Sequence, residues 1–190
     1  MQYSIERDKE VCMLTDGYSL RELTVRDAAA FRSLRLIALK EVSEAFGTSY
    51  AEEKVKTLRN YQRDLGRSRK SKNDFIIGIF VADGDGELVA IAGFYRNKKV
   101  KTNHKGLMWG MFVRADHRRK GLASHLLKNA LDRVRSLQSV EVLLINVVTS
   151  NHAAIQLYER FGFKTYGHEE KAFKLEGNYH DVLHMNYSVG

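Results

Sequence analysis

The sequence contains no proline, a single cysteine and no long apolar run. With Cys12 alone, no internal disulfide can form, which is typical of a protein in a reducing compartment. The longest apolar run covers residues 75–82, far short of the roughly 18 residues that a membrane-spanning helix needs. Residues 1–17 carry charge throughout and lack the apolar segment of a secretion signal. These absences predict a soluble cytoplasmic protein without a membrane partner.

The length and composition indicate one globular domain. A chain of 190 residues with 44% hydrophobic and 28% charged residues can bury a sizeable core. We therefore expect a single domain over residues 1–190, in which 18–189 form the core and 1–17 an N-terminal extension or extra strand. Basic residues outnumber acidic ones by 31 to 23, and this net charge of +8 favours an anionic partner. Nucleic acid, phospholipid and a phosphorylated small molecule all satisfy that requirement.

Apolar periodicity and the positions of glycine predict a mixed α/β fold with one central sheet. Runs rich in Val, Ile and Leu predict strands at 18–23, 75–83, 87–96, 106–113, 140–148, 163–167 and 181–188. Helical spacing predicts helices from residue 26, over 52–65 and 122–134, and after the cap residue Asn151. Gly66 and Gly162 are expected to end the second and the last helix. Gly84-Asp85-Gly86 is expected to form a hairpin turn.

The loop between the fourth predicted strand and the third predicted helix carries the clearest functional signal. It contains Arg118, Arg119 and Lys120, followed by Gly121 where the helix starts. The first turn of a helix has unpaired amides at the positive end of its dipole. Because Gly121 and Ala123 have little side-chain bulk, a ligand can approach these amides closely. The loop therefore predicts a diphosphate-binding pocket; an ordinary turn with surface cations is the alternative.

Other sites are poorly supported by the sequence. It has neither G-x-x-x-x-G-K-[ST] nor a G-x-G-x-x-G between a strand and a helix, which argues against ATP hydrolysis and dinucleotide redox chemistry. No helix-turn-helix or RNP-type aromatic motif accompanies the basic clusters, so nucleic acid is the less favoured partner. His180 and His184 share a predicted strand face, but no cysteine or acidic cluster completes a set of metal ligands, and we expect no metal.

Two motifs in this order resemble the GNAT superfamily of N-acetyltransferases. Residues 118–123 match the [RQ]-x-x-G-x-[GA] phosphate loop of that family. Residues 151–163 match its N-x-x-A-x-x-x-Y-x-x-x-G-F pattern. Residues 45–50 also resemble the loop after the first helix in a bacterial branch that acts on small molecules. The resemblance extends over about residues 19–189, and the predicted strand order agrees with it.

This resemblance implies a GNAT fold: a single mixed sheet of about seven strands, with the fourth and fifth strands splayed, flanked by about four helices. Acetyl-CoA would lie in the splayed cleft as cosubstrate. The backbone of residues 112–113 would pair with its pantetheine arm, and the amides of Arg119, Gly121, Ala123 and Ser124 would hold its diphosphate. The full set of implied cofactor-binding residues is Phe112, Val113, Arg118, Arg119, Lys120, Gly121, Leu122, Ala123, Ser124, Asn151, Ala154 and Tyr158.

The resemblance also implies how the reaction would run. A neutral amine would attack the thioester directly, while an amide near a bulge at Gly110, that of Val113, would stabilise the oxyanion. Tyr158 would be the catalytic acid that protonates the departing thiolate, although at this spacing it could instead be a core tyrosine. Residues 106–113 contain no carboxylate or histidine. The general base could therefore be a chain of water molecules, or an acceptor that arrives already neutral could need no base. The ionisable side chains that could serve as the base are Glu41, Glu44, His104 and His117.

The expected function is transfer of an acetyl group from acetyl-CoA to a primary amine of a small molecule, the chemistry of acyltransferase class EC 2.3.1. Transfer to a protein N-terminus or lysine is one alternative. A module that binds or senses acyl-CoA without turnover is another. Tyr50, Glu52, Tyr166 and His168 are plausible contacts of the acceptor, and a homodimer is left open.

Overall fold

The computed structural model describes residues 11–14, 17–71, 73–82, 86–137 and 139–190. These residues contain eight strands: β1 (Cys12–Leu14), β2 (Tyr18–Glu22), β3 (Phe75–Val81), β4 (Leu88–Arg96), β5 (Lys105–Val113), β6 (Val142–Val148), β7 (Lys164–Leu175) and β8 (Asn178–Ser188). They form one sheet in the order β1-β2-β3-β4-β5-β6-β8-β7. Neighbours are antiparallel except β5 and β6, which are parallel. The mixed α/β fold is confirmed, with eight strands rather than about seven because β1 extends the sheet beyond β2.

The described residues also contain five α-helices: α1 (Ala28–Glu41), α2 (Tyr50–Lys54), α3 (Leu58–Lys70), α4 (Leu122–Ser136) and α5 (His152–Arg160). The helix predicted over 52–65 is two helices, because Ser49 and Thr57 each begin one with a reciprocal capping box. The prediction that Gly66 ends a helix is wrong. Gly162, at φ 91°, does adopt the left-handed conformation that ends α5, whereas Gly66 does not. Within the described ranges no helix is both long and apolar enough to cross a membrane.

The last two strands form a longer hairpin than the sequence predicts. Strands expected at 163–167 and 181–188 extend to a tight turn at Glu176 (φ 48°) and Gly177 (φ 86°), a pair of positive φ angles that suits a two-residue hairpin turn. Most of β7 is exposed, so its side chains lack the apolar alternation of a core strand. The other predicted turn cannot be compared in full, since Gly84 and Asp85 lie outside the described residues.

The helices cover both faces of the sheet. Those from α1 to α3 pack on one face, where Leu34, Leu65 and Ile91 belong to one buried cluster. On the opposite face, α4 and α5 pack over a second cluster that includes Leu127 and Leu143. The central strand β5 is therefore covered on both sides, and residues along it can line cavities on either face.

The sheet opens between β5 and β6. These strands pair only where Lys105, Gly106 and Leu107 face Val142, Leu143 and Leu144, and they diverge beyond that point. On its other edge β5 has a bulge: its register with β4 shifts between Ile91 and Gly93, and Gly110 takes φ 66°. The expected splay and the expected bulge at Gly110 are both present. Together they create a gap in the middle of the sheet.

Candidate active site

A cleft of about 390 Å³ lies beside the end of β5 that has diverged from β6. Its walls come from β5, from the loop that leads into α4, and from α5. Eight of the predicted cofactor residues line it: Phe112, Val113, Arg118, Arg119, Ala123, Asn151, Ala154 and Tyr158. The other four, Lys120, Gly121, Leu122 and Ser124, do not line the cleft and are in the adjoining loop and the first turn of α4. Residues far apart in sequence are thus brought to one concave site of the size that small ligands occupy.

The start of α4 is open to an anion. Gly121 precedes the helix at φ 75°, and no side chain caps it. The amides of Leu122, Ala123 and Ser124 therefore have no acceptor within the helix. Arg119 is also left-handed, at φ 61°. Left-handed residues in such a loop turn successive amides toward one point, as in backbone anion-binding sites.

Arg118 and Lys120 point to opposite sides of the loop. Arg118 donates from Nε to the Val113 carbonyl at 2.9 Å and pairs through Nη2 with Glu41 at 3.1 Å, which ties the loop to the end of α1. The Lys120 ammonium instead donates to the Tyr18 hydroxyl at 3.0 Å, at the β2 side of the loop. Lys120 therefore contributes charge near the cleft without lining it.

The edge of β5 that faces the gap offers backbone groups to an extended ligand. Val113 is opposite Ala90, and the next amide, that of Arg114, donates to the Val89 carbonyl at 2.9 Å. Because backbone groups alternate between the two edges of a strand, the N–H and C=O of Val113 face the gap. By the same rule the backbone of Phe112 faces β4, so Phe112 lines the cleft without being able to pair with pantetheine as the resemblance implies.

Tyr158 reaches the cleft from α5. Its ring packs 5.8 Å from that of Phe163 in the core, and its side chain is only 6% exposed. Its hydroxyl lies 3.7 Å from Met111 Sδ, beside the bulge of β5. A thioether is a weak acceptor, so the proton remains available to a better one. Burial raises the pKa of the Tyr158 phenol, which keeps it protonated near neutral pH.

Asn151 begins α5, as predicted. Its Oδ1 accepts a hydrogen bond from the Ala154 amide at 3.2 Å, which leaves the amide nitrogen of the side chain free to face the cleft that it lines. One side chain therefore both caps the helix and contributes a polar group to the site.

The structure does not bring the four base candidates to the cleft. Glu41 is paired with Arg118, and His117 Nδ1 lies 2.8 Å from the Tyr18 hydroxyl. His104 precedes β5 at the end remote from Gly110, and Glu44 lies in the turn after α1. Among the described residues, none of the four lines the cleft or the cavities beside it.

Two further cavities, of about 410 and 330 Å³, lie on the other side of the bulge. Both are lined by Arg35 and Trp109. A narrow space of about 70 Å³ shares Trp109 with these cavities and Tyr158 with the cleft, so it lies between them. The Trp109 ring packs on the bare backbone of Gly93, where a Cβ atom would lie 2.3 Å from it. An acceptor could thus approach the bulge from the side away from the α4 loop.

The larger cavity contains buried charge that the sequence analysis missed. Arg35, Glu53 and Tyr61 are 8%, 5% and 3% exposed, and the Tyr61 hydroxyl donates to Glu53 at 2.6 Å. Burial raises the pKa of Tyr61, and that hydrogen bond raises it further. The signal was present in α1: Arg35 follows Phe31 and Leu34 at helical spacing, within the buried stripe. Neither cavity is lined by the expected acceptor contacts Tyr50, Glu52, Tyr166 and His168.

This arrangement agrees with a family assignment from the sequence. The profile of the acetyltransferase (GNAT) family matches residues 38–163, more than half of the chain. The chain belongs to the GNAT family. The matched region spans the cleft, including the α4 loop, the splayed strands and α5.

Solved structures share the GNAT fold. A GNAT-family acetyltransferase from Streptococcus pneumoniae superposes with a TM-score of 0.81 at 22% identity, covering 91% of this chain and 99% of that one. A Salmonella typhimurium protein solved with its cofactor acetyl-CoA superposes with a TM-score of 0.78 at 17% identity, over 91% of this chain and 94% of the other. At these identities the likeness establishes the fold alone.

Curated relatives match over part of their length. A spermidine N(1)-acetyltransferase from Vibrio cholerae is 30% identical over 82 residues, which cover 43% of this chain and 47% of that protein. An L-methionine sulfoximine/L-methionine sulfone acetyltransferase from Pseudomonas aeruginosa is 25% identical over 111 residues, 58% of this chain and 64% of the other. The chain thus spans less than two thirds of the length of these relatives.

Proposed function

We propose that this GNAT protein is an acetyl-CoA-dependent N-acetyltransferase that acts on the primary amine of a small molecule. The observation that carries the proposal is the cleft itself, which connects the uncapped start of α4 to the Tyr158 hydroxyl and the bulge of β5. Support comes from the solved structure that contains acetyl-CoA and from relatives named as acetyltransferases of spermidine and of an amino-acid analogue.

The coenzyme would bind along the length of the cleft. Its diphosphate would accept hydrogen bonds from the amides of Gly121, Ala123 and Ser124, with Arg118 and Arg119 beside it. Its pantetheine arm would pair with the backbone of Val113, which faces the gap. The acetyl group would then lie next to Gly110 and Tyr158, between the cleft and the cavities on the other side of the bulge.

Acetyl transfer would proceed by direct attack. The lone pair of a neutral amine forms a C–N bond to the thioester carbonyl carbon, and the carbonyl oxygen takes up negative charge. A main-chain amide of β5 at the bulge would donate to this oxyanion, a contribution commonly worth about 3 kcal/mol. Val113, three residues further along the strand, would pair with pantetheine instead. When the C–S bond breaks, Tyr158 gives its proton to the thiolate. The amine loses its proton to water in the adjoining cavity, since the described residues of β5 offer no carboxylate or histidine.

An amine panel tests this function. The protein is incubated with acetyl-CoA and with polyamines, amino acids, aminoglycosides or peptides with a free N-terminus, while free thiol is recorded and products are identified by mass spectrometry. We expect thiol release that depends on a small amine and an equal amount of N-acetylated product. Binding of acetyl-CoA without turnover would contradict the proposal and favour a sensor, and turnover with peptides alone would favour protein acetylation.

A further inference from the structure

Arg35 is a buried cation with an unused hydrogen-bond donor. The side chain is 8% exposed, and its Nη1 atom is fully buried without a hydrogen-bond partner. Its guanidinium stacks over the Phe46 ring at 4.5 Å. An aromatic face satisfies part of the charge, but it accepts none of the in-plane N–H groups. A buried charge without an anionic partner is destabilising, so this position points to an anion that arrives from outside the chain.

The nearest buried acid is already engaged. Glu53 accepts the Tyr61 hydroxyl at 2.6 Å on one oxygen and pairs with Lys56 at 3.0 Å through the other. Among the described residues no carboxylate lies within ion-pair distance of Arg35. The charge of Glu53 therefore acts on Arg35 only at a distance and leaves its donors free.

The position of Arg35 relates it to the reaction. It lines both cavities on the acceptor side of β5. Its Nη1 lies 4.0 Å from the point where a Cβ on Gly110 would be, and Gly110 is the bulge residue beside which the thioester would lie. A small anionic group held by Arg35 would thus be within a few bonds of the attacking nitrogen.

We propose, building on the acetyl transfer described above, that the acceptor is an amino acid and that Arg35 binds its carboxylate. The planar guanidinium fork matches a carboxylate in a bidentate pair. In an α-amino acid only two carbon atoms separate a carboxylate oxygen from the amine nitrogen, which suits the short distance between Arg35 and the bulge. The larger cavity, lined also by Phe31 and Phe94, would hold the side chain. A polyamine would instead bring a second cation toward Arg35, at a desolvated site where like charges repel strongly.

The test compares each common amino acid with its C-terminal amide, which keeps the amine and the side chain but removes the negative charge. We expect the best amino acid to exceed its amide in kcat/KM by about 100-fold or more, because the amide leaves the Arg35 donors unpaired. The comparison is biased against the proposal: the amine of the amide is less basic, so a larger fraction of it is neutral and able to attack at the assay pH. Equal or better turnover of the amides would overturn the proposal.

Arg35→Met is the matched variant. It should reduce the preference for the carboxylate to about one while leaving the Kd for acetyl-CoA unchanged. Its melting temperature should not fall, because an unpaired buried charge is replaced by an apolar chain of similar length. Arg59→Met, on the exposed side of α3, is the control and should keep the wild-type preference. If Arg35→Met retained the preference for the carboxylate, whether or not its melting temperature fell, Arg35 would have a purely structural role.

A direct binding measurement separates this inference from the proposed activity. Trp109 is the only tryptophan and lines both acceptor cavities, so its fluorescence reports occupancy of the site. The common amino acids are titrated in turn, and at least one should change this fluorescence at concentrations at which its amide does not. That result would support carboxylate recognition even if no acetyl transfer occurred, and an equal response to acid and amide would contradict it.

Discussion

Replacing Gly121 with valine should raise the KM for acetyl-CoA about 10-fold or more while the fold persists. There is room for a side chain, since the nearest atom to an added Cβ is His125 Cδ2 at 3.9 Å. The backbone conformation is the obstacle: Gly121 has φ 75°, and the left-handed region costs about 1–2 kcal/mol for an ordinary residue and is least accessible to β-branched ones. Relief of that strain would turn the amides of the α4 start away from the diphosphate. Steady-state kinetics with varied acetyl-CoA, together with circular dichroism, measure both effects.

Two variants control for the backbone argument. Gly121→Asn should keep the KM within about threefold, because asparagine tolerates the left-handed conformation. Gly177→Val introduces similar strain at φ 86° in the distant tip of the β7–β8 hairpin and should leave the KM unchanged. A wild-type KM in Gly121→Val would mean that the loop does not hold the diphosphate. If Gly121→Asn raised the KM for acetyl-CoA as much as Gly121→Val, the effect would come from the added side chain rather than from the backbone conformation.

Replacing Tyr158 with phenylalanine should lower kcat about 100-fold with little change in the affinity for acetyl-CoA. The substitution keeps the ring in the core beside Phe163 and removes only the hydroxyl, whose partner in the structure is the weakly accepting Met111 sulfur. The thiolate would then leave without a proton donor. The measurement is kcat at saturating acetyl-CoA and acceptor, with thermal unfolding to establish that the variant is folded.

The pH dependence of the wild type gives a second readout for Tyr158. Because burial raises the pKa of the phenol above its ordinary value of 10.0, Tyr158 stays protonated as the pH rises toward that value, and kcat should show no fall from phenol ionisation in this range. Tyr179→Phe, at a tyrosine that is 53% exposed on β8, is the matched control and should behave as wild type. Wild-type turnover in Tyr158→Phe would remove the acid role and leave Tyr158 as a core residue.

The parts of the site that the sequence predicts depend on local rules. The α4 loop is recognised by a glycine before a helix with an apolar stripe. Asn151 and Gly162 mark the start and the end of α5 through caps whose formation depends only on neighbouring residues. The capping box of Ser49 and Glu52 was equally readable, and it would have divided the helix predicted over 52–65. The bulge at Gly110 came from the family resemblance rather than from the composition of its strand.

The acceptor side depends on tertiary packing and was therefore missed. Arg35 falls within the apolar stripe of α1, but only the packed structure shows which groups surround it there. The hydrogen bond between Tyr61 and Glu53 joins two helices, α3 and α2, that were predicted as one. The extended β7–β8 hairpin escaped prediction for a different reason, since side chains exposed on both faces show no apolar alternation.

The central claim is that main-chain amides at the start of α4 hold the diphosphate of coenzyme A. Calorimetric titration of the folded wild-type protein tests it most directly, with coenzyme A in one experiment and pantetheine, which lacks the diphosphate and the phosphorylated adenosine attached to it, in the other. We expect coenzyme A to bind with a Kd between about 1 μM and 1 mM and pantetheine to bind at least about 100-fold more weakly. No heat with coenzyme A, or equal affinity for the two compounds, would contradict the claim.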